Sequence, residues 1–341
     1  MSHKNIPIFI PHLGCPNQCV FCNQRAISEC VEFREETVGE QIEAALQTIP
    51  QGTQTEIAFF GGSFTGIDHD LMIRLLTVAE RYVDAGRVQA IRLSTRPDYI
   101  NDEVLTVLSR FSVRTIELGL QSMDDEVLRA TRRGHTAEQA RAACRAIVDA
   151  GISLVGQMMI GLPMSDLERE LFTAREICAL GASAARIYPT VVFYDTPLCE
   201  LAKSGDYIPI TAEDACLRSA KVLDVFLKNG IPCIRIGLCA TESLTSFDRV
   251  YAGPNHPALG EMVWNAYYYE QILNAVKEAA LIGQDIKLIV PSADISKAVG
   301  QHRCNLVRIK QETDTRICKV IGEEACKTVS VMPWSRGKNR K

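Results

Sequence analysis

The sequence lacks any long run of apolar residues. A helix that crosses a bilayer needs roughly 20 consecutive apolar residues, and none of the apolar runs in the 341 residues approaches that length. The N-terminal stretch MSHKNIPIFIPHLG is too short and too interrupted by proline to act as a signal peptide. We therefore expect a cytoplasmic protein that does not enter a membrane.

The chain also lacks an excess of positive charge. Its 37 Lys and Arg residues face 41 Asp and Glu residues, a net charge of −4, which argues against a protein that coats nucleic acid in general. Basic residues do outnumber acidic ones after Asp285, and four of them lie in the tail SRGKNRK. This asymmetry gives only weak support to an RNA-facing end.

The cysteines do not follow the pattern of a disulfide framework. They number 13, an odd count, and most stand singly in helix-like stretches. Cys144, Cys178 and Cys216 are interpreted as small hydrophobic packing groups, which a reducing cytosol leaves unpaired. The stretch CPNQCVFC differs, because it places three cysteines in the spacing C-x₃-C-x₂-C with no fourth cysteine close by.

Strand-like and helix-like segments alternate along most of the chain. Apolar residues recur at i, i+3 and i+4 in predicted helices at 37–48, 70–85, 102–111, 136–150 and 166–180. Short apolar or β-branched runs separate them, which predicts right-handed βαβ units and a parallel sheet. Such units build either a doubly wound sheet or a barrel-like (β/α) array.

Four polar signatures follow the first four predicted strands. They are the three cysteines, GGSFTG, STRPDY and QS. Both architectures place functional groups at the carboxyl ends of the strands, so we expect these signatures to form one site. We expect the chain to divide into a core at 1–245, a helical connector at 246–283, a small α+β module at 284–333 and a basic tail at 334–341.

The three cysteines admit two kinds of metal site. His12 lies three positions before Cys15, so that His12, Cys15, Cys19 and Cys22 would complete a tetrahedral zinc site. The alternative is a [4Fe–4S] cluster, which normally takes four cysteines. With three, one iron is left open to a ligand from outside the protein. The residues alone leave both sites open.

The spacing C-x₃-C-x₂-C, with Phe21 before the last cysteine and a (β/α)₆ array after it, resembles the radical S-adenosylmethionine superfamily. That resemblance implies a partial (β/α)₆ barrel of the TIM type and a [4Fe–4S] cluster held by Cys15, Cys19 and Cys22. It also implies that S-adenosylmethionine binds the open iron and is cleaved reductively to a 5′-deoxyadenosyl radical. An electron donor of the flavodoxin or ferredoxin type is implied as a partner.

The segments GGSFTG, STRPDYI, ELGLQSMDDEVL, IGLP and RIYPTVVFYDTPL are together similar to the elongator catalytic-subunit branch of that superfamily. This branch modifies the wobble uridine of tRNA, so the resemblance implies a tRNA or other RNA base as substrate. The residues after Gly283 are too few for the acetyltransferase domain of that branch. We therefore expect a partner that supplies a second catalytic domain.

Two other functions remain open at this point. A more distant resemblance, carried by GLP and YP…TPL, reaches the oxygen-independent coproporphyrinogen oxidases. It implies a radical oxidase or decarboxylase of a small molecule. A zinc-stabilised RNA-binding protein without catalysis is the alternative from a different class.

The superfamily resemblance also implies contacts with the cofactor, residue by residue. Ser63 and Ser94 stand where related chains often have Glu, so Ser63 would act through its backbone. The implied contacts are Gly61, Gly62 and Ser63 at the methionine amino group, Ser94 and Gln121 at the ribose, Arg133 at the methionine carboxylate, Gln157 as a further polar contact, and Ile160–Gly161 near the adenine. Arg186, Tyr188 and His256 are the candidates to face the substrate.

The segment from Ile286 to Ile321 is predicted to run strand, helix, GxxR turn, helix, strand. This order is similar to a KH domain, whose GxxG loop clamps single-stranded nucleic acid. Arg303 replaces the second glycine, and an arginine there would itself hold a phosphate. The hypothesis is an RNA-contacting module that uses Arg303 and Arg308. The alternative is a cap that only packs on the core.

Overall fold

The computed structural model describes residues 3–10, 13–15, 19–23, 33–238 and 249–334. These residues fall into two compact units, one of Met1–Ala215 with Val225–Pro257 and one of Cys216–Asp224 with Ala258–Lys341. His12 and the tail after Trp334 lie outside the described residues. Among the described helices, none combines the length and the apolar character that a membrane crossing requires.

The first unit is built on a sheet of seven parallel strands. In spatial order, which is also chain order, they are β1 His3–Ile10, β2 Gln54–Gly61, β3 Ala90–Thr95, β4 Val113–Gln121, β5 Ser153–Ile160, β6 Ala184–Pro189 and β8 Cys233–Ile236. The strands β7 Val192–Phe193 and β9 Val250–Ala252 form a separate antiparallel pair. The helices of this unit are α1 Val38–Thr48, α2 His69–Asp84, α3 Asp102–Leu108, α4 Asp125–Ala130, α5 Ala137–Asp149, α6 Leu167–Ala179 and α7 Pro197–Ser204. The next helix, α8 Ala212–Lys228, has its ends in this unit and its middle, Cys216–Asp224, in the second.

The crossover helices between the strands cover one face of the sheet. Right-handed crossovers between strands that follow each other in chain order all pass on the same side. Ile6, Ile8 and Ile10 of β1 are at most 1% exposed and form part of the apolar layer under the helices. A Cβ on Gly156 of β5 would lie 2.5 Å from Ile177 of α6. The strand order therefore confirms the barrel-like array and excludes the doubly wound alternative.

The sheet is strongly curled. Between β2 and β6 lie four strand spacings, about 19 Å in a flat sheet. The guanidinium carbon of Arg186 on β6 nevertheless lies 5.6 Å from the ring centre of Phe60 on β2. Contact across that distance requires the strands to bend toward each other on the face without helices. The sheet is thus the predicted partial barrel, with β1 and β8 as its edges.

Most helix boundaries follow the sequence signals closely. The side chain of Asp166 caps α6, and Thr136 with Gln139 forms a capping box at α5, so both helices begin where their caps predict. The α3 helix ends at Leu108, three residues before its predicted end, and the chain continues in turns to Phe111. The short helices α4 and α7 are not predicted, because one or two turns show no clear periodicity.

The second unit contains α9 Leu259–Glu278, β10 Asp285–Pro291, α10 Ile295–Val299, α11 Cys304–Thr313, β11 Arg316–Glu323 and β12 Ser330–Pro333. The strand β10 lies centrally, parallel to β11 and antiparallel to β12. Ile272 and Val276 of α9 pack with Leu288 of β10 and Ile309 of α11 in its core. The elements from β10 to β11 come in the predicted order. The KH likeness itself stays a prediction.

Candidate active site

The loops after β1 and β2 lie in direct contact at the carboxyl ends of these strands. The Gly62 N–H donates to Ile10 O (2.8 Å), and the Ser63 N–H donates to Leu13 O (3.0 Å). A Cβ on Gly62 would lie 2.0 Å from Leu13 O, and a Cβ on Gly14 would lie 2.1 Å from Ser63 O. Glycine is therefore required on both sides of this contact. It holds the beginning of the cysteine loop against the turn of GGSF.

The three predicted ligands lie in this loop. The Cys15 Sγ is 3.3 Å from the Ser63 hydroxyl. Cys19 is 5% exposed, and its carbonyl accepts the N–H of Cys22 at 3.0 Å. No group of three His, Cys, Asp or Glu side chains in the described ranges is placed to hold a metal ion. His12, the fourth ligand of the zinc alternative, lies outside those ranges.

Two buried arginines point at the sulfur of Cys19. Arg133 Nη1 donates to it at 3.2 Å and Arg96 Nη1 at 3.8 Å. Both arginines are at most 5% exposed. Arg133 also donates to the carbonyl of Gly119 at 2.5 Å, while its Nε has no partner among the described residues. Two guanidinium groups thus direct N–H donors at this one sulfur.

Arg96 is fixed in this orientation by its own partners. Its Nε and Nη2 donate to the two carboxylate oxygens of Asp98, each at 2.9 Å, and Nη2 also donates to the carbonyl of Arg133. Burial alone would lower the pKa of Arg96, but the hydrogen bonds to Asp98 raise it above its ordinary value. The motif STRPDY contains both partners of this pair, but Arg96 was not predicted as a site residue.

His135 lies beside this pair and is uncharged. Its Nδ1 is 3.9 Å from Asp98 Oδ1, and its side chain is fully buried. Burial and the nearby charge of Arg133 lower the pKa of His135 to about 3, and the attraction of Asp98 does not offset them. The neutral ring adds no further charge to Arg96, Asp98 and Arg133 around Cys19.

Gln121 ends β4 in a left-handed conformation (φ +67°). Such a conformation is unfavourable for a residue with a side chain, by about 1–2 kcal/mol. Its buried Oε1 has no hydrogen-bond partner in the described part of the chain. A Cβ on Gly119 would lie 3.1 Å from the Gln121 amide nitrogen, so glycine makes room for this side chain. A buried acceptor without a donor is a position at which a ligand hydroxyl would fit.

Below the strand ends, a charged cluster occupies the face of the sheet that carries no helices. Glu117 of β4 is completely buried and accepts from Arg92 of β3 (2.9 Å), Arg186 of β6 (2.7 Å) and Gln157 of β5 (3.1 Å). Arg186 also donates to the Tyr188 hydroxyl at 3.1 Å. Burial raises the pKa of Tyr188. Gln157, Arg186 and Tyr188 thus lie together, whereas Arg92 and Glu117 were not predicted.

The remaining predicted residues are less closely joined. Ser94 is half-buried next to Glu117 in register. The carbonyl of Ile160 accepts from Thr190, and the N–H and carbonyl of Gly161 bond to other side chains. An adenine near Ile160–Gly161 would therefore meet polar backbone groups that are already bonded. His256 is exposed in the loop before α9, and Arg303 belongs to the second unit.

Comparison with known proteins identifies related sequences and folds. A sequence model of the radical SAM superfamily matches residues 9–174, and one of the radical SAM C-terminal domain matches residues 182–268. The tRNA uridine(34) acetyltransferase of Methanocaldococcus jannaschii is 29% identical over 180 residues, which cover 47% of this chain and 33% of that protein. The Elongator complex protein 3 of Schizosaccharomyces pombe is 36% identical over 120 residues, which cover 34% of this chain and 22% of that protein.

The chain thus matches at most about a third of the length of these curated relatives. Among solved structures, the archaeal Methanocaldococcus infernus Elp3 with an N-terminal deletion is similar at a TM-score of 0.61 and 19% identity. The alignment covers 84% of this chain and 66% of that one. At this identity the likeness shows the fold alone.

Proposed function

The chain belongs to the radical SAM superfamily of enzymes, and from that premise we propose that it binds a [4Fe–4S] cluster through Cys15, Cys19 and Cys22 and cleaves S-adenosylmethionine reductively to modify a base of tRNA or another RNA. The observation that carries the proposal is the meeting of the cysteine loop with the glycine turn and with the guanidinium groups of Arg96 and Arg133. The choice between transferase and oxidoreductase stays open, and the cytoplasmic location stays a prediction.

The residues present fit a cluster with a cofactor beside it. Thiolates are the usual ligands of iron–sulfur clusters, and three of them lie in one loop at the strand ends. The close contact of Gly14 and Gly62 with the neighbouring backbone leaves no side chain between the loop and the turn. The orphaned Oε1 of Gln121 and Nε of Arg133 provide an acceptor and a donor for a ligand. Cys15, Cys19 and Cys22 would hold the cluster.

When bound, the cluster would supply the electron that cleaves the cofactor. The backbone at Gly61 and Gly62 would bind the methionine amino group, and Gln121 would orient the ribose. Arg133 has two duties in this proposal, because it already donates to Cys19 and would also face the methionine carboxylate. Arg96 stays fixed on Asp98 and keeps one positive charge at Cys19 whatever Arg133 does.

Two observations support RNA as the substrate. The relatives named above are described as a tRNA uridine(34) acetyltransferase and as Elongator complex protein 3. In the second unit, Arg303 is exposed at the end of a tight turn, with φ at +63°. The guanidinium carbon of Arg308 lies 3.9 Å from the ring centre of Tyr269. Arg308 therefore packs on an aromatic ring, whereas Arg303 is exposed. Arg303 is therefore the better residue for testing an RNA contact. A partner with a second catalytic domain remains part of the proposal.

The experiment is anaerobic reconstitution of the full chain with iron and sulfide. We expect a brown protein with a [4Fe–4S] spectrum that forms 5′-deoxyadenosine from S-adenosylmethionine and dithionite. Cys19→Ala should lose both properties, and Cys178→Ala, a half-buried cysteine on α6, should keep them. A colourless chain that holds zinc would refute the proposal. Unchanged tRNA nucleosides in a deletion strain, measured by mass spectrometry, would refute its RNA part.

A further inference from the structure

The face of the curled sheet that carries no helices is the inner face of the half-barrel. On this face, the arginines outnumber the carboxylates that could neutralise them. Glu56 accepts from Arg92 at 2.8 Å, and Glu117 accepts from both Arg92 and Arg186. Arg235 of β8 stands next to Arg186 in register. The face therefore has three arginines for two carboxylates. Arg92 bonds to both carboxylates, and Arg186 shares one of them. The excess positive charge therefore lies on the β6–β8 side, at Arg186 and Arg235.

Two donors at that side lack acceptors. The Nε of Arg186 is buried and has no hydrogen-bond partner in the described residues. The half-buried side chain of Arg235 forms no hydrogen bond and no ion pair within the same ranges. Arg235 is near enough to Tyr188 for its charge to lower the pKa of that phenol, against the larger effect of burial. A buried guanidinium donor without an acceptor is unfavourable unless a ligand supplies the acceptor.

We infer that Arg186 and Arg235, together with the Tyr188 hydroxyl, form a binding site for an oxyanion of the substrate. Guanidinium groups match the geometry of phosphates and carboxylates, which accept two parallel hydrogen bonds. Glu117 holds one end of Arg186 in place and leaves its Nε free for the ligand. The inference deepens the proposed function, on which it rests, since it takes the inner face as the substrate side.

Aromatic rings beside this site favour a nucleotide phosphate as the source of the oxyanion. Phe60 lies under the guanidinium of Arg186, and Phe9 on the adjacent strand lies 6.4 Å from Phe60, centre to centre. Phe9 is 37% exposed, so its ring is available for a base to stack on. A carboxylate on a small molecule would use the same arginines and would gain less from these rings.

Binding measurements on the full chain test the site. With S-adenosylmethionine present and no reductant, we expect uridine 5′-monophosphate to bind saturably and uridine at least tenfold more weakly. Arg235→Gln should weaken the nucleotide at least tenfold, because a charge-assisted hydrogen bond is lost. Arg235→Lys should retain part of the affinity. Arg114→Gln, which removes an exposed arginine of β4, is the matched control and should bind like the wild type.

Two results would overturn the inference. One is equal affinity of wild type and Arg235→Gln for the nucleotide. The other is a wild type that saturably binds neither uridine 5′-monophosphate nor succinate. Tighter binding of succinate would support the oxyanion site and assign it to a carboxylate. Iron content is measured on the same samples. A chain that binds no cluster counts against the proposed function, whereas anion binding tests the oxyanion site whether or not a cluster is bound.

Discussion

Gly14 offers a direct test of the contact between the cysteine loop and the glycine turn. Its φ is +68°, close to the +66° of Gly86 after α2, so alanine meets the same left-handed strain of about 1–2 kcal/mol at both positions. No described atom lies within 4 Å of a Cβ on Gly86. At Gly14 the Cβ would lie 2.1 Å from Ser63 O, 2.7 Å from Gly66 C and 2.8 Å from Ile67 N.

All three of these atoms are backbone, so the loop or the turn has to move by about 1 Å or more to restore a normal contact. Overpacking of this kind typically lowers the free energy of unfolding by about 1–3 kcal/mol. Gly14→Ala should therefore lower it by about 1–3 kcal/mol more than Gly86→Ala does. Urea unfolding of the metal-free chain, followed by circular dichroism, measures this difference.

The second measurement is the iron content after reconstitution, which reports the position of the loop. We expect Gly14→Ala to bind much less iron than Gly86→Ala at equal protein concentration. If the loop moves away without unfolding, the iron content should fall although the stability of the two variants stays similar. Equal stability together with equal iron content would refute the reasoning, since the backbone contact would then position nothing.

Three further predictions follow from buried or exposed charges. Unfolded His135 titrates near 6.5 and folded His135 at about 3, so the unfolded chain binds more protons between these values. The free energy of unfolding should fall as the pH decreases from 6.5, by up to about 1.4 kcal/mol per pH unit. Urea unfolding of His135→Gln at the same pH values should lack this contribution to the pH dependence. Glu117→Gln removes the carboxylate partner of Arg186 and one of the two carboxylates that bond to Arg92, and should cost about 3–5 kcal/mol in thermal or urea unfolding. Arg303→Glu should weaken tRNA binding and reduce its dependence on salt concentration in filter-binding assays, because a phosphate contact is lost.

Each of these predictions has an outcome that would contradict it. For His135→Gln, that outcome is a free energy of unfolding that depends on pH as steeply as in the wild type. The exposed Glu103 of α3 is the match for Glu117, and equal losses for the two glutamines would argue against the buried cluster. Arg110→Glu changes an exposed arginine of the first unit. If it weakens tRNA binding as much as Arg303→Glu, the effect reflects net charge and not a contact at the turn.

The sequence predicts the local elements of the first unit well, since their signals are local. Asp166 and Thr136 mark helix starts, and alternating or apolar runs mark the strands. Local signals could not decide whether the βαβ units form a doubly wound sheet or a barrel. That choice depends on which strands pair, and the pairing of residues such as Arg186 with Arg235 joins positions far apart in the chain.

The distance between contacting residues along the chain also separates the site residues that were predicted from those that were missed. Cys15, Cys19 and Cys22 share one short motif, and Gly61–Gly62 forms another, so spacing alone indicates them. Glu117 stands between the apolar residues Ile116 and Leu118 of β4, and its partners come from three other strands. No local pattern predicts such a cluster. Only the curvature of the sheet brings its members together.

The one-sided arrangement of the helices has a consequence for how this fold diversifies. In every strand of the half-barrel, successive side chains point to opposite faces. Ile116 and Leu118 belong to the packed layer, while Glu117 between them faces the open side. Substitutions confined to every second strand residue can therefore change the chemistry of the open side while the packed layer keeps its composition. The open side and the packed layer thus depend on interleaved, largely separate sets of positions.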